Sequence, residues 1–430
     1  MLSASLRWTA AGATALVLLS APRAQAAGFA IFEQGARAMG FAGAYTAQSK
    51  DGSAIFHNAA GIAFLKEKQF YLGGTLIHPS ASFTGEEPFP GPGITENGDV
   101  GILIPPNFYY THPFSETLAF GIGVHAPFGL QTKWEDPDNF SGRYISTRAD
   151  LKGFALNPTV AFKLEDRLAI GVGLDVRFAK IALDRRVPVV NPFTQRVVDG
   201  AEVNLESDMN TGFGFNVGLM AKPSDTLSIG LSYRHKVTVD FSGTANFEPI
   251  STGSPELDLR VRASLPAGSL PLTTSIEFPG WASFGFAKTF GDWTFEADVN
   301  WYQWSTFEQL QLTFETEPRL NQTIEEDYSN SFQYRFGIER VLNDAWAVRG
   351  GYFFDESPSP PESMSPLLPD SNRNGFCLGG SWTSGRLHLD SAFWYVLASE
   401  RSTDGSSHNS YDGTYNNHAL TLGISLGYSF

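Results

Sequence analysis

From Ala419 to the end of the chain, apolar and small or polar residues alternate without a break. Leu420, Leu422, Ile424, Leu426, Tyr428 and Phe430 fall on one side, and Ala419, Thr421, Gly423, Ser425, Gly427 and Ser429 on the other. A period of two puts alternate residues on opposite faces of a β-strand. One face here is apolar and tipped with aromatic rings, the other small and polar. The pattern recurs. Leu168, Ile170, Val172, Leu174, Val176 and Phe178 oppose Ala169, Gly171, Gly173, Asp175 and Arg177. Leu227, Ile229, Leu231 and Tyr233 oppose Ser228, Gly230, Ser232, Arg234 and Lys236, and Trp293 to Trp301 set apolar positions against Glu296, Asp298 and Asn300. Charged residues keep to one register, as they must if the other register meets lipid, where Arg or Lys costs roughly 2–4 kcal/mol at the midplane. The expected fold class is an all-β, antiparallel transmembrane β-barrel. A soluble sandwich would alternate in the same way.

Connection lengths set the strand count. Six tight polar turns stand out, at Phe114-Ser115-Glu116, Leu164-Glu165-Asp166, Pro223-Ser224-Asp225, Phe290-Gly291-Asp292, Leu342-Asn343-Asp344 and Thr383-Ser384-Gly385. Seven longer segments alternate with them, near 84–105, 127–152, 182–210, 246–272, 315–329, 356–373 and 399–416. Thirteen connections predict fourteen strands, with short turns facing the periplasm and long loops the exterior.

The amino end separates this reading from a soluble sheet. Arg7 precedes an apolar run from Ala10 to Leu19 and then Ala24-Gln25-Ala26, the pattern of a cleaved secretory leader over residues 1–26. The run is about half the ~20 residues that a spanning helix needs. Nothing comparable follows, so a mature chain in a membrane must cross it as a closed barrel. Hydrophobic residues make up 42% of the chain and mean hydropathy is −0.14, too polar for a helical membrane protein. Losing Arg7, Arg23 and no acid takes the net charge from −15 to −17, which argues against a nucleic-acid partner. Cys377 is the single cysteine, so no internal disulfide forms.

Residues 27–66 lack strand periodicity. Gly, Ala and Ser dominate, yet Phe29, Ile31, Phe32, Met39, Phe41, Ile55, Phe56, Ile62, Phe64 and Leu65 are too apolar for a solvated arm. The segment is expected to fold inside the lumen as a plug, with the barrel over 67–430.

Short motifs then carry a resemblance. Ala27-Gly28-Phe29-Ala30-Ile31-Phe32-Glu33-Gln34 and Phe56-His57-Asn58-Ala59-Ala60-Gly61 resemble the amino-terminal hatch of the FadL/TodX family of outer-membrane transporters for long-chain fatty acids and other hydrophobic compounds. Pro127-Phe128-Gly129-Leu130, Phe140-Ser141-Gly142-Arg143-Tyr144, Leu156 to Lys163, Trp301 to Phe307 and Leu367 to Arg373 follow in order, so the likeness spans essentially the whole mature chain. It implies a fourteen-stranded barrel with an amino-terminal hatch, ligand capture among the outer loops, and release through a lateral opening beside a kink in the third strand. That strand is Thr117 to Pro127, where Gly121, Gly123 and Pro127 are able to bend or interrupt a ladder. The glycines would equally give packing space against the hatch. The family's usual Asn-Pro-Ala is Asn58-Ala59-Ala60 here, which restores a backbone donor and frees one φ angle.

For a hydrophobic ligand, Phe29 and Ile31 are the expected pocket contacts, with Trp134 and Phe140 as loop residues forming either a capture patch or part of an aromatic girdle. A carboxylate would need a cation. Arg177, Arg234, Lys236, Arg335 and Arg349 are candidates, Arg177 foremost, but with Asp175, Asp240, Glu296, Asp298 and Glu339 so near the sequence favours an internal ion-pair network. Glu315, Glu317, Glu325, Glu326 and Asp327 form an acidic loop, solvated unless a divalent cation bridges it to lipopolysaccharide. No catalytic motif, metal motif or cofactor motif is present, so an enzyme is not expected. The expected protein is a monomeric outer-membrane barrel that passes a hydrophobic small molecule by gated diffusion. An open porin for polar solutes and a lipid hydrolase with a Ser/His pair near His388 are the alternatives.

Overall fold

The computed structural model describes residues 28–430 apart from Ser49 and Ala267, so the expected leader lies outside the described residues. Fourteen strands form the wall. They are β1 Gln69–Gly85, β2 Pro106–Pro113, β3 Leu118–His125, β4 Arg148–Glu165, β5 Leu168–Val190, β6 Asn210–Ser224 and β7 Leu227–Arg234, followed by β8 Trp281–Phe290, β9 Trp293–Tyr302, β10 Ser331–Val341, β11 Trp346–Asp355, β12 Arg373–Ser384, β13 Leu387–Ala398 and β14 Gly413–Ser429. Each pairs antiparallel with its neighbours in the ring, and β14 closes on β1 from Gln69 opposite Ser429 to Gly85 opposite Gly413. Closure of the ring satisfies the backbone in lipid wherever the ladders run.

All six short turns fall where the sequence places them. Two contain glycine at positive φ, Gly291 (56°) and Gly385 (58°), the conformation a two-residue hairpin turn demands. Leu174, Leu231, Phe295, Leu378, Leu422 and Ile424 stand on the outer surface, while Asp175, Arg234, Asp298, Arg335 and Ser425 are buried inward. That distribution is the inverse of a water-soluble sheet.

One expected loop is mostly strand. Within 182–210, β5 runs on to Val190, and Val197–Ser207 returns beside it, Leu183 opposite Leu205. Val237–Pro249 and Leu270–Phe278 continue this outer fence. Each of these three segments joins its wall strand through two residues that fall outside the regular ladders: Asp208-Met209, His235-Lys236 and Pro279-Gly280. Each break swaps the faces of its own segment. The pairing register shifts by one residue only against β5, because the breaks at His235-Lys236 and Pro279-Gly280 face each other and cancel. Arg234 points inward, but beyond the break Val237, Val239 and Phe241 do so, leaving Asp240 outside. Lys236 and Asp240 are therefore not lumen residues, contrary to the sequence expectation.

Residues 28–66 fill the lumen with two short helices, Ala36–Gly40 and Ala54–His57, and a 3-10 helix, Ala59–Phe64. The wall supplies their missing partners. Asp298 Oδ2 accepts the amides of Tyr45 and Thr46, both at 2.9 Å, and Glu296 Oε1 accepts that of Ala47 at 2.7 Å. Trp394 Nε1 donates to the Met39 carbonyl (2.6 Å), and Arg335 Nη1 to that of Ala42 (2.8 Å). Small wall residues make room: a Cβ on Gly171 would lie 2.4 Å from the carbonyl carbon of Ala59.

Candidate functional site

Above the hatch lies a cavity of about 500 Å³. Phe29 and Ile31 form part of its floor, and Phe128, Leu151, Phe353 and Trp394 part of its wall. Phe29 itself is clamped edge-on by Phe128, Phe278, Trp304 and Phe307, with centroids 4.8 to 6.1 Å away. Such T-shaped contacts fix a ring more firmly than burial alone. A cavity of this size, mostly apolar with a few polar groups, matches the usual form of a small-molecule site.

The cavity reaches the outer surface sideways. β2 and β3 pair only as far as Phe108 opposite Val124. Beyond His125 the third strand leaves the wall at Ala126-Pro127 and rejoins β4 at Leu130, opposite Leu151. On the far side, residues 98–106 stay with β1 through Leu103 and Ile77. The two edges meet again at the Gly98–Trp134 bridge, where the Lys133 ammonium contacts the Asp99 carboxylate. Between those closures is a window in the barrel wall, with Leu103, Ile104 and Leu130 among the cavity residues at its sides.

The displaced strand is tied to the hatch. Ile31 N donates to Pro127 O at 2.9 Å, Gly129 N to Phe29 O at 3.0 Å, and Gln34 Nε2 to Ala126 O at 2.7 Å. The bend thus lies at Ala126-Pro127. Gly121 and Gly123 sit within the regular β3 ladder, and a Cβ on either would strike Ile55 of the hatch at 2.7 or 3.0 Å. Their smallness gives the hatch room; neither is at the bend.

Other expected site residues are distributed more widely. Trp134 lines the cavity, but it is buried and stacked on Phe140 (4.8 Å, 8° between planes), with its Nε1 on the Pro366 carbonyl at 3.0 Å. Phe140 does not line the cavity. Together with Phe83, Met364, Tyr411 and Tyr415 these rings form the core of the loop cap, so they are not an exposed capture patch. Arg177 also lies off the cavity lining. Its guanidinium pairs with Asp175 at 2.8 Å and rests on the rings of Phe128 and Phe278. Asn58 caps the 3-10 helix through Ala60 N (3.1 Å) and donates to Thr46 O (2.8 Å) and Leu219 O (3.1 Å). Ala59 and Ala60 lie against Gly171.

Ion pairing accounts for most of the inward charges. Asp175 also receives Arg234 (3.1 Å), Arg335 pairs with Asp355 (3.1 Å), and Arg349 with Glu339 (2.7 Å) and Asp390 (3.3 Å). Glu296 and Asp298 depart from the expected network, because they hold hatch amides and no arginine. The acidic loop does not converge either. Glu317 holds Arg319, Asp327 faces His408 at 3.4 Å, and Glu326 is buried. Among the described residues no group of three or more His, Cys, Asp or Glu could hold a metal ion. His388 meets Thr383 Oγ1 (3.1 Å) and Ser429 Oγ (3.4 Å) at the turn end, away from the cavity.

A family model described as "Outer membrane protein transport protein (OMPP1/FadL/TodX)" matches residues 17–430. The chain belongs to this family. The FadL/TodX membership makes it an outer-membrane transport protein and not an enzyme. The chain is 23% identical over 447 residues to the long-chain fatty acid transport protein of Escherichia coli O6:H1, covering 97% of each. It is 24% identical over 469 residues to outer membrane protein P1 of Haemophilus influenzae, covering 97% of this chain and 98% of that one. A solved FadL homologue from Pseudomonas aeruginosa superposes with a TM-score of 0.83 at 20% identity, covering 94% of this chain and 100% of the other. The toluene transporter TbuX of Ralstonia pickettii gives 0.69 at 16% identity, covering 93% and 100%. At these identities the superpositions show a shared fold.

Within this FadL/TodX barrel, sequence reasoning missed several cavity residues. Trp394 and Phe353 are inward-facing members of strands whose alternation is legible, yet nothing local marks them as lining a void. Arg373 reaches the cavity from the start of β12 and donates to Gly28 O at 2.9 Å. Glu33, on the hatch, faces the same space; burial raises its carboxyl, partly offset by its own backbone hydrogen bond and by Arg335 and Arg373.

Proposed function

We propose that the protein carries hydrophobic small molecules across the outer membrane by downhill diffusion, from the loop cap into the cavity and out sideways through the window between β2 and β3. The observation that carries this is the continuity of the cavity with that window. An apolar solute that leaves sideways enters acyl chains and never meets bulk water, so partition alone drives it. No cofactor or energy source is needed. The hydrogen bonds from residues 29–31 to residues 127–129 couple any hatch movement to the window's edge.

Uncharged hydrocarbons fit the lining better than carboxylates. The cationic side chains that reach it are Lys133, Lys152, Arg335 and Arg373, and each already lies within 4 Å of Asp99, Asp150, Asp355 or Asp370. A fatty-acid carboxylate would have to displace one of these partners. Arg177 holds Asp175 through Nη2 alone and leaves Nε and Nη1 without a hydrogen-bond partner, but it lies behind Phe128, off the cavity lining. Titrating the detergent-solubilised barrel with an alkane or monoaromatic hydrocarbon and with a fatty acid of matched size tests the preference. Tighter binding of the fatty acid would count against it, and the absence of any apolar ligand after mild extraction would count against the transport route itself.

The mature protein in this reading starts after Ala26, with a hatch over 27–66 and a barrel over 67–430. It works as a monomer, surrounded by outer-membrane lipid and lipopolysaccharide.

A further inference from the structure

The lysines of this chain are unevenly placed. Lys50, Lys66, Lys68, Lys163, Lys222 and Lys288 belong to the hatch or to the short-turn end of the barrel. Those at the long-loop end, Lys133, Lys152, Lys180 and Lys236, all lie in one sector spanning the displaced third strand, β4, β5 and the top of β7. Lys152 and Lys180 stand directly across from each other on the outer face of β4 and β5. Immediately below them, toward the lipid midplane, Phe154 and Phe178 stack at 4.9 Å on the same face. That height is the boundary between acyl chains and headgroups, where aromatic girdles sit.

Each lysine has one carboxylate beside it: Asp99, Asp150, Glu206 and Glu277 in turn. Lysines that merely snorkel to an interface would be spread around the barrel. Around the rest of the rim, the outward positions just inside the loops on β10 to β14 are Tyr334, Tyr352, Asn374, Tyr395 and His418. Like charges directly opposite across a ladder are destabilising, and two exposed lysines in that arrangement favour a bridging anion. The Lys133–Asp99, Lys180–Glu206 and Lys236–Glu277 pairs lie at the surface, are worth little individually and exchange readily, while Asp150, buried beside Lys152, keeps Arg148 as its second partner. An amphiphile with paired phosphates fits both halves of this surface, its phosphates on the ammonium groups and divalent cations bridging phosphate to the freed carboxylates.

We infer that the Lys152–Lys180 pair, extended by Lys133 and Lys236, binds the phosphates of an outer-leaflet glycolipid of the lipid A type, seated beside the lateral window. Lys152 belongs to both surfaces, for it also lines the cavity. A lipid held there stands at the mouth through which cargo leaves, so the occupant of the site sets the local packing into which cargo is released. The inference rests on the membrane placement of the barrel and not on the transport route, so either can fail alone.

The test is native mass spectrometry of the full barrel in mild detergent, titrated with diphosphoryl lipid A, lipid A lacking both phosphates, phosphatidylglycerol and inorganic phosphate. Diphosphoryl lipid A should be retained, and Lys152→Gln with Lys180→Gln should weaken it about tenfold or more. A Lys236→Gln variant, farther from the window, should give a smaller loss and covers the case in which the double variant does not fold. Equal retention of the dephosphorylated lipid, equal retention of phosphatidylglycerol, competition by millimolar inorganic phosphate alone, or unchanged affinity in folded variants would each overturn the assignment.

Discussion

The amide of Ile31 donates to the carbonyl of Pro127 at 2.9 Å, so the first turn of the hatch is hydrogen-bonded to the bend that opens the wall. With the Gly129 amide on the Phe29 carbonyl at 3.0 Å, the two segments form a short antiparallel clasp. The cavity floor and the window edge therefore share atoms, and disturbing one side chain of the floor should be felt at both. Replacing Phe29 or Ile31 by Asp puts a carboxylate into the mostly apolar floor of the cavity. Affinity for an apolar ligand should fall by at least about tenfold, as judged by titration in detergent. Unaltered affinity in both variants would falsify an amino-terminal pocket contact.

The hatch is seated against wall positions that tolerate no side chain. A Cβ at Gly171 would lie 2.4 to 2.6 Å from backbone atoms of Ala59 and Ala60, which cannot swing aside as a flexible side chain would. Gly171→Val should cost roughly 1–3 kcal/mol by overpacking and loosen the plug. In planar bilayers the parent protein should conduct almost no ions, whereas this variant should show open-channel events. Steady conductance by the parent would instead favour an open porin.

Ala59 stands where the family resemblance leads one to expect proline. Asn58 before it has φ −158° and ψ 105°, the extended conformation that a residue preceding proline adopts, and Ala59 opens the 3-10 helix. Ala59→Pro should therefore leave the fold unchanged and raise stability by up to about 1 kcal/mol through the unfolded chain. A clear drop in the thermal midpoint would mean that the Ala59 amide has a partner it needs.

Glu326 lies in the outer loop between β9 and β10, buried, with its carboxyl held well above the usual range, first by burial and then by Asp327 and Asp370. A raised value means that the folded loop prefers the neutral acid. The stabilisation is complete below the unfolded value near 4.5 and is lost as pH rises through the folded one. Each pH unit between the two costs up to about 1.4 kcal/mol. Hydrogen-exchange protection factors in residues 303–330, corrected for the base-catalysed intrinsic rate, should be higher at pH 5 than at pH 8, and Glu326→Gln should flatten the difference. A loop whose protection rises with pH would contradict this.

Fold and site were not equally legible. The fourteen strands could be read because lipid enforces the period of two on every wall strand, and because tight turns and long loops differ in composition. Lys236 and Asp240 were misplaced for a definite reason: the two-residue break at His235-Lys236 exchanges the faces, and nothing in the local residue types announces a bulge. Glu296 and Asp298 were read correctly as inward, but their partners are amides of Tyr45, Thr46 and Ala47, and a backbone donor leaves no mark in a sequence. Trp134 and Phe140 were picked out as aromatic loop residues; that they stack on each other in a buried cap depends on segments 364–366 and 411–415, far away in the chain. The cavity was the least legible element, since a void is defined by residues that fail to touch.

The outer fence has a consequence for where cargo is first met. From Ala182 to Val190, β5 runs on for roughly 26 Å along its own axis at about 3.3 Å per residue, and its partner segments climb with it. A water-poor solute approaching such a cell faces a thick carbohydrate brush crosslinked by ions, and that brush repels it before any bilayer is reached. A stiff chimney of paired strands sets the doorway out in the brush itself, so the molecule trades one crossing of sugar for a sheltered descent.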